Sequence, residues 1–336
     1  MSTPLLSACL IVRDEAHRLE VCLDALDGLV DEIVVHDTGS TDGTVDLLHR
    51  RDVALVEGGW SDDFAAARNT ALERARGEWV LSVDADEVVQ GDAIALRALL
   101  GRQPGPALLV SIVNVATAEA GGDVTSVSPR LFRRHDAVWR GRVHERVEHP
   151  GTAAAAPVAV PEEVLRLQHE GYATTEALAV KGRRNARLAE RALEELLTTV
   201  PRDDAAVARA CLALGRACVG AGDRQRAVDA FEAVRELTSA GPEWQQATDV
   251  LTRVLLGAGE AAVALALAEQ LLASGAERAY CDWLRAQALA QLGDASGALD
   301  LLARVDRLVD PAGQRYGLEK VAALRVLCEG LARASR

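Results

Sequence analysis

Two carboxylates two positions apart follow the most apolar segment in the N-terminal half of the chain. Asp84 and Asp86 come directly after residues 78–83 (EWVLSV), a run with almost no alternation, which is typical of a strand covered on both faces in a parallel sheet. Ligands of such sheets bind at the carboxyl ends of the strands, where two acids can share a divalent cation with a diphosphate. Oxygen ligands favour Mg²⁺ or Mn²⁺ over Zn²⁺. A solvated acidic turn is the alternative, and the position after a buried strand disfavours it.

A third acid closes another predicted strand. Asp37 follows residues 32–36 (EIVVH) and opens the turn-rich stretch 38–43 (TGSTDG). A carboxylate there can accept a hydrogen bond from a nucleobase N–H or a ribose hydroxyl. The stretch can also be a capping loop with Ser40 or Thr41 as the helix N-cap, and the two interpretations use different atoms. The sequence contains neither GxGxxG nor GxxxxGK[ST], which disfavours a Rossmann dehydrogenase and a P-loop NTPase.

Two later residues have types that suit proton transfer or metal binding. Glu145 lies in residues 143–147 (VHERV), where period-two geometry would put it on the face of the two valines. Apolar neighbours raise the pKa of a carboxylate, which suits a general base; the alternative is a structural pair with a neighbouring arginine. His169 ends residues 165–169 (LRLQH) on the apolar face, where a histidine is usually a hydrogen-bonded core residue.

Six arginines lie close together in an otherwise acidic chain. Their charge suits a pocket that stabilises a departing diphosphate with fixed positive groups. The alternative, a solvated strand face, accounts for most of them. The six are Arg130, Arg133, Arg134, Arg140, Arg142 and Arg146.

The elements that must position these residues alternate between strand and helix patterns. Such alternation predicts a parallel α/β sheet. Between residues 108 and 169 only short strands follow, which predicts a mixed sheet, parallel first and antiparallel later. The predicted strands are 6–12, 32–36, 53–57 and 78–83, then 108–115, 124–128, 143–147 and 164–169; the helices are 15–26, 44–49 and 62–76, the last capped by Asp62 or Asp63; and 151–161 is a loop.

The chain is helical after residue 175 and carries an internal repeat. Gly215, Gly222-Asp223, Ala227 and Phe231 have the spacing of a tetratricopeptide helix pair, in which small residues let two helices approach closely. The same frame recurs around residues 259–264 and 293–302. We therefore expect a domain at 1–172, a connecting helix at 173–202 and helical repeats at 203–336.

Composition excludes several classes of protein. The 336 residues are 49% hydrophobic and carry a net charge of −13, so a disordered chain and a general nucleic-acid or anionic-membrane binder are disfavoured. No run approaches the about 18 apolar residues of a membrane span, and the N-terminus does not have the pattern of a signal peptide. Six cysteines without a CxxC pair predict free, packed thiols and a cytoplasmic protein.

Several ordered motifs resemble family 2 glycosyltransferases of the GT-A fold. Two of them resemble the lipopolysaccharide-core and peptide S-glycosyltransferase branches, in which attached tetratricopeptide repeats also occur. The resemblance covers roughly residues 5–185, with the repeats as a separate match. The motifs are 7–15 (SACLIVRDE), 30–44 (VDEIVVHDTGSTDGT), 67–69 (ARN), 77–87 (GEWVLSVDADE), 130–134 (RLFRR) and 143–145 (VHE).

The resemblance implies a role for each acidic motif. Asp37 would contact the nucleotide base, usually uracil, and Asp84 would reach the ribose or the metal. Asp86 would be the main metal ligand. His169 would be a third ligand, since related enzymes carry a histidine at this point of the fold; His144 is the alternative.

The resemblance also implies a nucleoside pocket. Arg13, Asp14 and Glu15 would line it, although the family more often has Asn-Glu there, so Asp14 departs from its pattern. Arg68 would approach the base or the diphosphate. Glu145 would be the general base of an inverting transfer.

The combined prediction is an inverting, Mn²⁺- or Mg²⁺-dependent transferase that uses a nucleotide sugar, with a UDP-sugar favoured. The acceptor would be a peptide, a carrier-bound group or a small molecule, and the repeats would recruit it or form a homodimer. An inactive transferase-like scaffold is the alternative. A nucleotidyltransferase ranks lower because Arg13-Asp14-Glu15 stands where a Gly-rich basic signature would be expected.

Overall fold

The computed structural model describes residues 3–115, 124–151, 158–170 and 175–334. These residues form two units, an α/β unit (3–115 and 125–170) and a helical unit (175–334). In the α/β unit the strands are β1 (Leu6–Val12), β2 (Glu32–Asp37), β3 (Ala54–Glu57), β4 (Trp79–Ser82), β5 (Glu87–Gly91), β6 (Ala107–Val115), β7 (Val124–Arg133), β8 (Val138–Arg140), β9 (Arg146–Glu148), β10 (Val158–Ala159) and β11 (Leu165–Glu170); the helices are α1 (Leu19–Leu26), α2 (Thr44–Leu48), α3 (Phe64–Arg74) and α4 (Ala93–Leu100).

The large sheet has the strand order β3-β2-β1-β4-β7-β6-β11-β5, with β10 paired to β6. The strands β3, β2, β1 and β4 are parallel. Antiparallel pairs appear where β7 joins β4 and where β5 joins β11. The fold class predicted from the sequence, a mixed GT-A sheet followed by helical repeats, is confirmed. Strands β8 and β9 form a separate antiparallel hairpin.

The sequence of β4 is an unbroken apolar run because both faces of this strand are buried. All four of its residues are buried, and Trp79 and Leu81 belong to one apolar cluster whereas Val80 belongs to another. The strand is therefore covered on both faces, as its sequence predicts, and it ends at the acidic motif. Fully burying side chains of this size contributes about 1.5–3 kcal/mol each, which fixes the end of β4 firmly.

Some predicted boundaries differ from the structure. Helix α1 begins at Leu19 rather than at residue 15, because residues 13–17 form the turn that leaves β1. Strand β5 and helix α4 were not predicted, although Asp92 caps α4 by accepting hydrogen bonds from the backbone N–H groups of Ile94 and Ala95. Asp63 caps α3, as predicted. Residues 152–157 of the predicted loop lie outside the described residues.

The helical unit contains three helix pairs with the predicted frame. Gly222 ends α6 with a left-handed φ of 77°, and the side chain of Asp223 caps α7. A Cβ atom on Gly215 would lie 2.5 Å from the ring of Phe231, so the small residue permits the close approach that the repeat requires. The elements are α5 (Thr175–Thr198), α6 (Asp204–Ala221), α7 (Arg224–Leu237), α8 (Pro242–Gly257), α9 (Ala261–Ala273), α10 (Arg278–Gln291), α11 (Ala295–Leu302), β12 (Leu308–Val309), β13 (Arg315–Tyr316) and α12 (Glu319–Ala334).

Two expectations from composition can be compared with the structure. The six cysteines are free and buried, which confirms the prediction of packed thiols. Among the helices of the described ranges, none combines the length and the apolar content that a membrane crossing requires.

Candidate functional site

The turn after β2 is closed by the carboxylate of Asp37. Its Oδ1 atom accepts hydrogen bonds from the backbone N–H groups of Gly39 and Ser40, both at 2.9 Å, and its Oδ2 atom accepts one from the Ser40 hydroxyl at 2.5 Å. The predicted N-cap role of Ser40 or Thr41 is wrong, because the N-cap position of α2 is Gly43. The carboxylate of Asp42 instead accepts a hydrogen bond from the backbone N–H of Thr44 at 2.9 Å.

The turns after β1 and β2 are tied together by Asp14. Its carboxylate accepts a hydrogen bond from the backbone N–H of Thr41 at 2.7 Å, and its own N–H donates to the Ser40 hydroxyl at 2.8 Å. Asp14 has a φ of 55°, a left-handed conformation in which Asn and Asp are enriched. This explains how aspartate can occupy a position where the family more often has asparagine. Because Val12 at the end of β1 pairs with Asp37, Arg13 and Glu15 leave the sheet at the same edge as Asp37.

Below that edge, Arg68 holds two acids of the predicted site. The Nη2 atom of Arg68 donates to Asp84 Oδ1 at 2.8 Å, and its Nε atom donates to Glu145 Oε1 at 2.5 Å. Its Nη1 atom donates to the Ser82 hydroxyl at 3.1 Å. With a side chain only 9% exposed, Arg68 is an internal bridge between α3, the end of β4 and the residue before β9.

Arg130 completes the charged cluster from β7. Its Nη2 atom lies 2.8 Å from Asp84 Oδ2 and 3.0 Å from Glu87 Oε1. Both carboxylate oxygens of Asp84 therefore accept from arginines. The sequence places Arg130 among six arginines but does not show which one faces the acids, because that depends on the antiparallel return of β7 beside β4.

The electrostatics of the cluster follow from burial and these ion pairs. Burial opposes ionisation of Asp84, but the guanidinium groups of Arg130 and Arg68 outweigh it and hold the pKa of Asp84 well below its usual range. Burial, together with the negative charge of Asp84, raises the pKa of Glu87. Asp84 is thus a fixed anion, whereas Glu87 holds its proton more tightly than an ordinary glutamate.

Asp86 and His169 meet across two antiparallel strands. His169 on β11 lies opposite Glu87 on β5 in the pairing register, which brings the His169 Nδ1 atom to 3.5 Å from Asp86 Oδ1. Both side chains are about one quarter exposed, at 25% and 26%. Burial, together with the charge of Asp86, raises the pKa of Glu15, so Glu15 also faces this region.

These side chains fit a partly built cation site. A carboxylate oxygen and an imidazole nitrogen are both suitable ligands for Mn²⁺. Among the described residues, no group of three or more Asp, Glu, His or Cys side chains is arranged to hold a metal ion. A cation bound to Asp86 and His169 would therefore take its remaining ligands from a diphosphate and water.

The environment predicted for Glu145 is wrong. The strand expected at residues 143–147 begins only at Arg146, because Gly141 and His144 have left-handed φ values of 102° and 53°. The alternation that would place Glu145 among valines is broken, and its carboxylate, 12% exposed, pairs with Arg68. His144 is exposed in the same connection.

Three other arginines of the cluster contact neighbouring groups of the α/β unit instead of Asp84 and Glu87. Arg133 pairs with Glu78 and lies 4.6 Å from the centre of the Trp79 ring. Arg134 donates to the Gly77 carbonyl at 3.0 Å, and Arg146 pairs with Glu148 at 2.5 Å.

Comparison with known proteins identifies the class of this site. Residues 7–146 match the family model described as "Glycosyl transferase family 2", which confirms the resemblance inferred from the motifs. This segment of the chain is therefore similar to family 2 glycosyltransferase domains.

Two relatives share longer stretches with the chain. A TPR repeat-containing protein of Synechococcus elongatus is 35% identical over 66% of this chain and 54% of its own length. Glycosyltransferase SunS of Bacillus phage SPbeta is 31% identical over 57% of this chain and 46% of its own length. The chain thus spans about half the length of these relatives. The solved structure of Staphylococcus aureus TarS 1–349 with UDP covers 69% of this chain and 90% of that chain, with 14% identity and a TM-score of 0.36.

Proposed function

We propose that the chain is an inverting glycosyltransferase that moves a sugar from a nucleotide donor, most simply a UDP-sugar, to an acceptor hydroxyl or thiol. The observation that carries the proposal is the position of Asp84 and Asp86 directly after the buried strand β4, with His169 beside Asp86 at 3.5 Å. The carboxyl ends of the parallel strands β1, β2 and β4 share one edge. That edge is where a doubly wound sheet binds its ligand.

Asp37 is the proposed anchor for the nucleobase. Its carboxylate has about four acceptor positions, and the turn uses three of them, through Gly39, through the Ser40 backbone and through the Ser40 hydroxyl. One acceptor position on Oδ2 is left for a nucleobase N–H. Because the turn holds the carboxylate rigidly, that contact needs little further ordering. Arg13 and Glu15 would line the adjoining nucleoside pocket.

Asp86 and His169 are the proposed ligands of a divalent cation, Mn²⁺ or Mg²⁺. When bound, such an ion neutralises charge on the diphosphate leaving group. Arg68 and Arg130 each donate to one oxygen of Asp84, which leaves about one acceptor position on each oxygen, and the proposal does not use Asp84 as a metal ligand. Its proposed part is to contact the ribose and to fix the end of β4.

Glu145 remains the proposed general base, with a different physical basis from the one expected. Arg68 donates to its Oε1 atom, which orients the carboxylate, and Oε2 is the atom proposed to accept the proton. As the acceptor atom bonds to the anomeric carbon, the bond from that carbon to the diphosphate oxygen breaks. The acceptor proton passes to Glu145 Oε2, and the configuration of the sugar inverts.

A donor screen tests the proposal. The protein is incubated with UDP-, GDP- and dTDP-sugars, with Mn²⁺ or with EDTA, and the nucleotide released by slow hydrolysis is measured. We expect release from one class of donor, dependent on the cation. An inactive scaffold would release none and would gain no thermal stability from UDP-sugar plus Mn²⁺, and that result would overturn the proposal.

The helical repeats have a proposed role in binding the acceptor or in forming a dimer. Stacked helix pairs form extended surfaces that bind peptides, so we propose that the helical unit recruits a peptide or carrier-bound acceptor or forms a homodimer. Acceptor recruitment and dimer formation are told apart by measuring the molar mass of the intact protein in solution over a range of concentrations, and not by deleting the helical unit. A constant monomer mass would exclude the dimer.

A further inference from the structure

The hairpin of β8 and β9 carries Glu145 but has few means of holding itself in place. Each strand has only three residues, Val138–Arg140 and Arg146–Glu148. An isolated two-stranded hairpin of this size is at best marginally stable in water. Its position, and with it the position of Glu145, must therefore come from contacts with the rest of the α/β unit.

Asn69 supplies a two-sided contact to the hairpin backbone. Its Nδ2 atom donates to the Trp139 carbonyl at 3.0 Å, and its Oδ1 atom accepts from the Trp139 N–H at 2.9 Å. The side-chain amide thus satisfies both backbone groups of one residue, as a neighbouring strand would. Only asparagine and glutamine offer a donor and an acceptor in this arrangement, and glutamine is one methylene longer.

The next contact along the same helix reaches Glu145 itself. Arg68, directly before Asn69 on α3, donates to Glu145 Oε1 at 2.5 Å and has its Cζ atom 5.2 Å from the centre of the Trp139 ring. The backbone N–H of Phe64, at the start of α3, donates to the Arg142 carbonyl at 3.0 Å. Helix α3 therefore contacts the hairpin at its first strand and its connection.

We infer that Asn69 is a positioning residue for the proposed base: it fixes the hairpin on α3 so that Glu145 meets Arg68 and faces the acceptor. The inference rests on the proposed function. Asn69 touches no reacting atom and acts only through Trp139 and the hairpin. Trp139 also packs edge-on against Phe132, with ring centres 5.6 Å apart, so losing the two hydrogen bonds loosens the first strand without detaching it, and Glu145 then shifts relative to Asp84 and Arg68.

Asn69→Ala and Asn69→Asp test this role, with Thr70→Ala as the matched control. Thr70 is the next residue of the same helix, and its hydroxyl donates within the helix, to the Ala66 carbonyl at 3.1 Å. Asn69→Asp keeps the side-chain volume but places a carboxylate oxygen against the Trp139 carbonyl, where Asn69 Nδ2 donates its hydrogen bond. It tests the same contact if Asn69→Ala fails to fold. Amide hydrogen exchange of residues 138–148 and hydrolysis of UDP-sugar in Mn²⁺ are measured.

We expect both Asn69 variants to exchange faster in the hairpin but not in β1 to β4. Their kcat should fall about 10- to 100-fold, the cost of a small misplacement, with the Kd for UDP within about twofold of the wild-type value. Combining Asn69→Ala with Glu145→Gln should lower kcat no further than Glu145→Gln alone, because one acts through the other. Three results would overturn the inference: a kcat of the double variant that falls by the product of the two single effects, unchanged amide hydrogen exchange in the hairpin, or an equal loss of kcat in Thr70→Ala.

Failure of the proposed function can be told apart from failure of this inference. Absence of nucleotide release by the wild-type protein would overturn the proposed transferase and, with it, the catalytic consequence of Asn69. Hydrogen exchange of residues 138–148 needs no turnover, so it would still decide whether Asn69 holds the hairpin.

Discussion

The imidazole Nδ1 atom of His169 lies 3.5 Å from the Oδ1 atom of Asp86. Asp86 precedes β5 and His169 lies near the end of β11, and the antiparallel register between those strands makes them neighbours. Neither residue is positioned by its own local sequence. The pairing of the two strands therefore builds the proposed cation site, and a change in either ligand should be visible in cation binding before any effect on the fold.

Asp86→Ala and His169→Ala should both weaken Mn²⁺ binding. We expect a loss of at least about 10-fold, which is what removing even an outer partner of a ligand produces, and no metal-dependent nucleotide release by Asp86→Ala. Mn²⁺ affinity is measured by titration calorimetry or electron paramagnetic resonance, and folding by circular dichroism. Asp52→Asn, at an exposed acid, is the control. Unchanged Mn²⁺ affinity in Asp86→Ala would exclude the proposed site.

Asp14→Asn and Asp14→Ala should differ clearly. Asparagine keeps an acceptor for the Thr41 N–H and tolerates the φ of 55°, so we expect its UDP affinity and stability to stay close to the wild-type values. Alanine loses the hydrogen bond, at about 1 kcal/mol, and adds about 1–2 kcal/mol of strain in the left-handed conformation. Urea unfolding and UDP titration measure both. Equal behaviour of the two variants would contradict the proposed link between the turns.

Glu87→Gln should change how stability depends on pH. The pKa of Glu87 is raised by burial and by the charge of Asp84, so its contribution is complete below about pH 4.3, where an unfolded glutamate ionises. That contribution is lost as the pH rises through the raised pKa. The free energy of unfolding of Glu87→Gln should therefore fall less steeply than that of the wild type above about pH 5. Denaturant unfolding at a series of pH values measures the slope, and Glu20→Gln, on the exposed face of α1, is the control. Parallel curves would contradict the prediction.

The parts of the fold that depend on residues near one another in the sequence could be predicted from the sequence. The unbroken apolar run of β4 and the spacing around Gly215 and Gly222 reflect burial and close helix contact, which depend on residues near in sequence. The Asp-rich turns were placed correctly at strand ends for the same reason. The hydrogen bonds inside these turns could not be predicted: the Ser40 hydroxyl donates to Asp37 instead of capping α2.

The charge pairs of the site could not be predicted, because they join distant segments. Arg130 reaches Asp84 and Glu87 only through the pairing of β7 with β4. A place for Glu145 among apolar neighbours requires an extended chain, and the left-handed φ of His144 interrupts that conformation. Period-two reasoning holds only where the backbone is a strand.

Arg68→Lys separates two interpretations of the most buried cation of the site. The family resemblance implies contact with the base or the diphosphate, whereas its donors bond Glu145, Asp84 and Ser82. A lysine ammonium keeps the charge but cannot span three partners in a fixed plane. If Arg68 only holds the acids, nucleotide release should fall about 10- to 100-fold while the Kd for UDP stays within about twofold. If the guanidinium binds nucleotide, UDP affinity should fall together with turnover. Arg76→Lys, at a pair with Glu32 where the arginine side chain is 69% exposed, should change neither measurement.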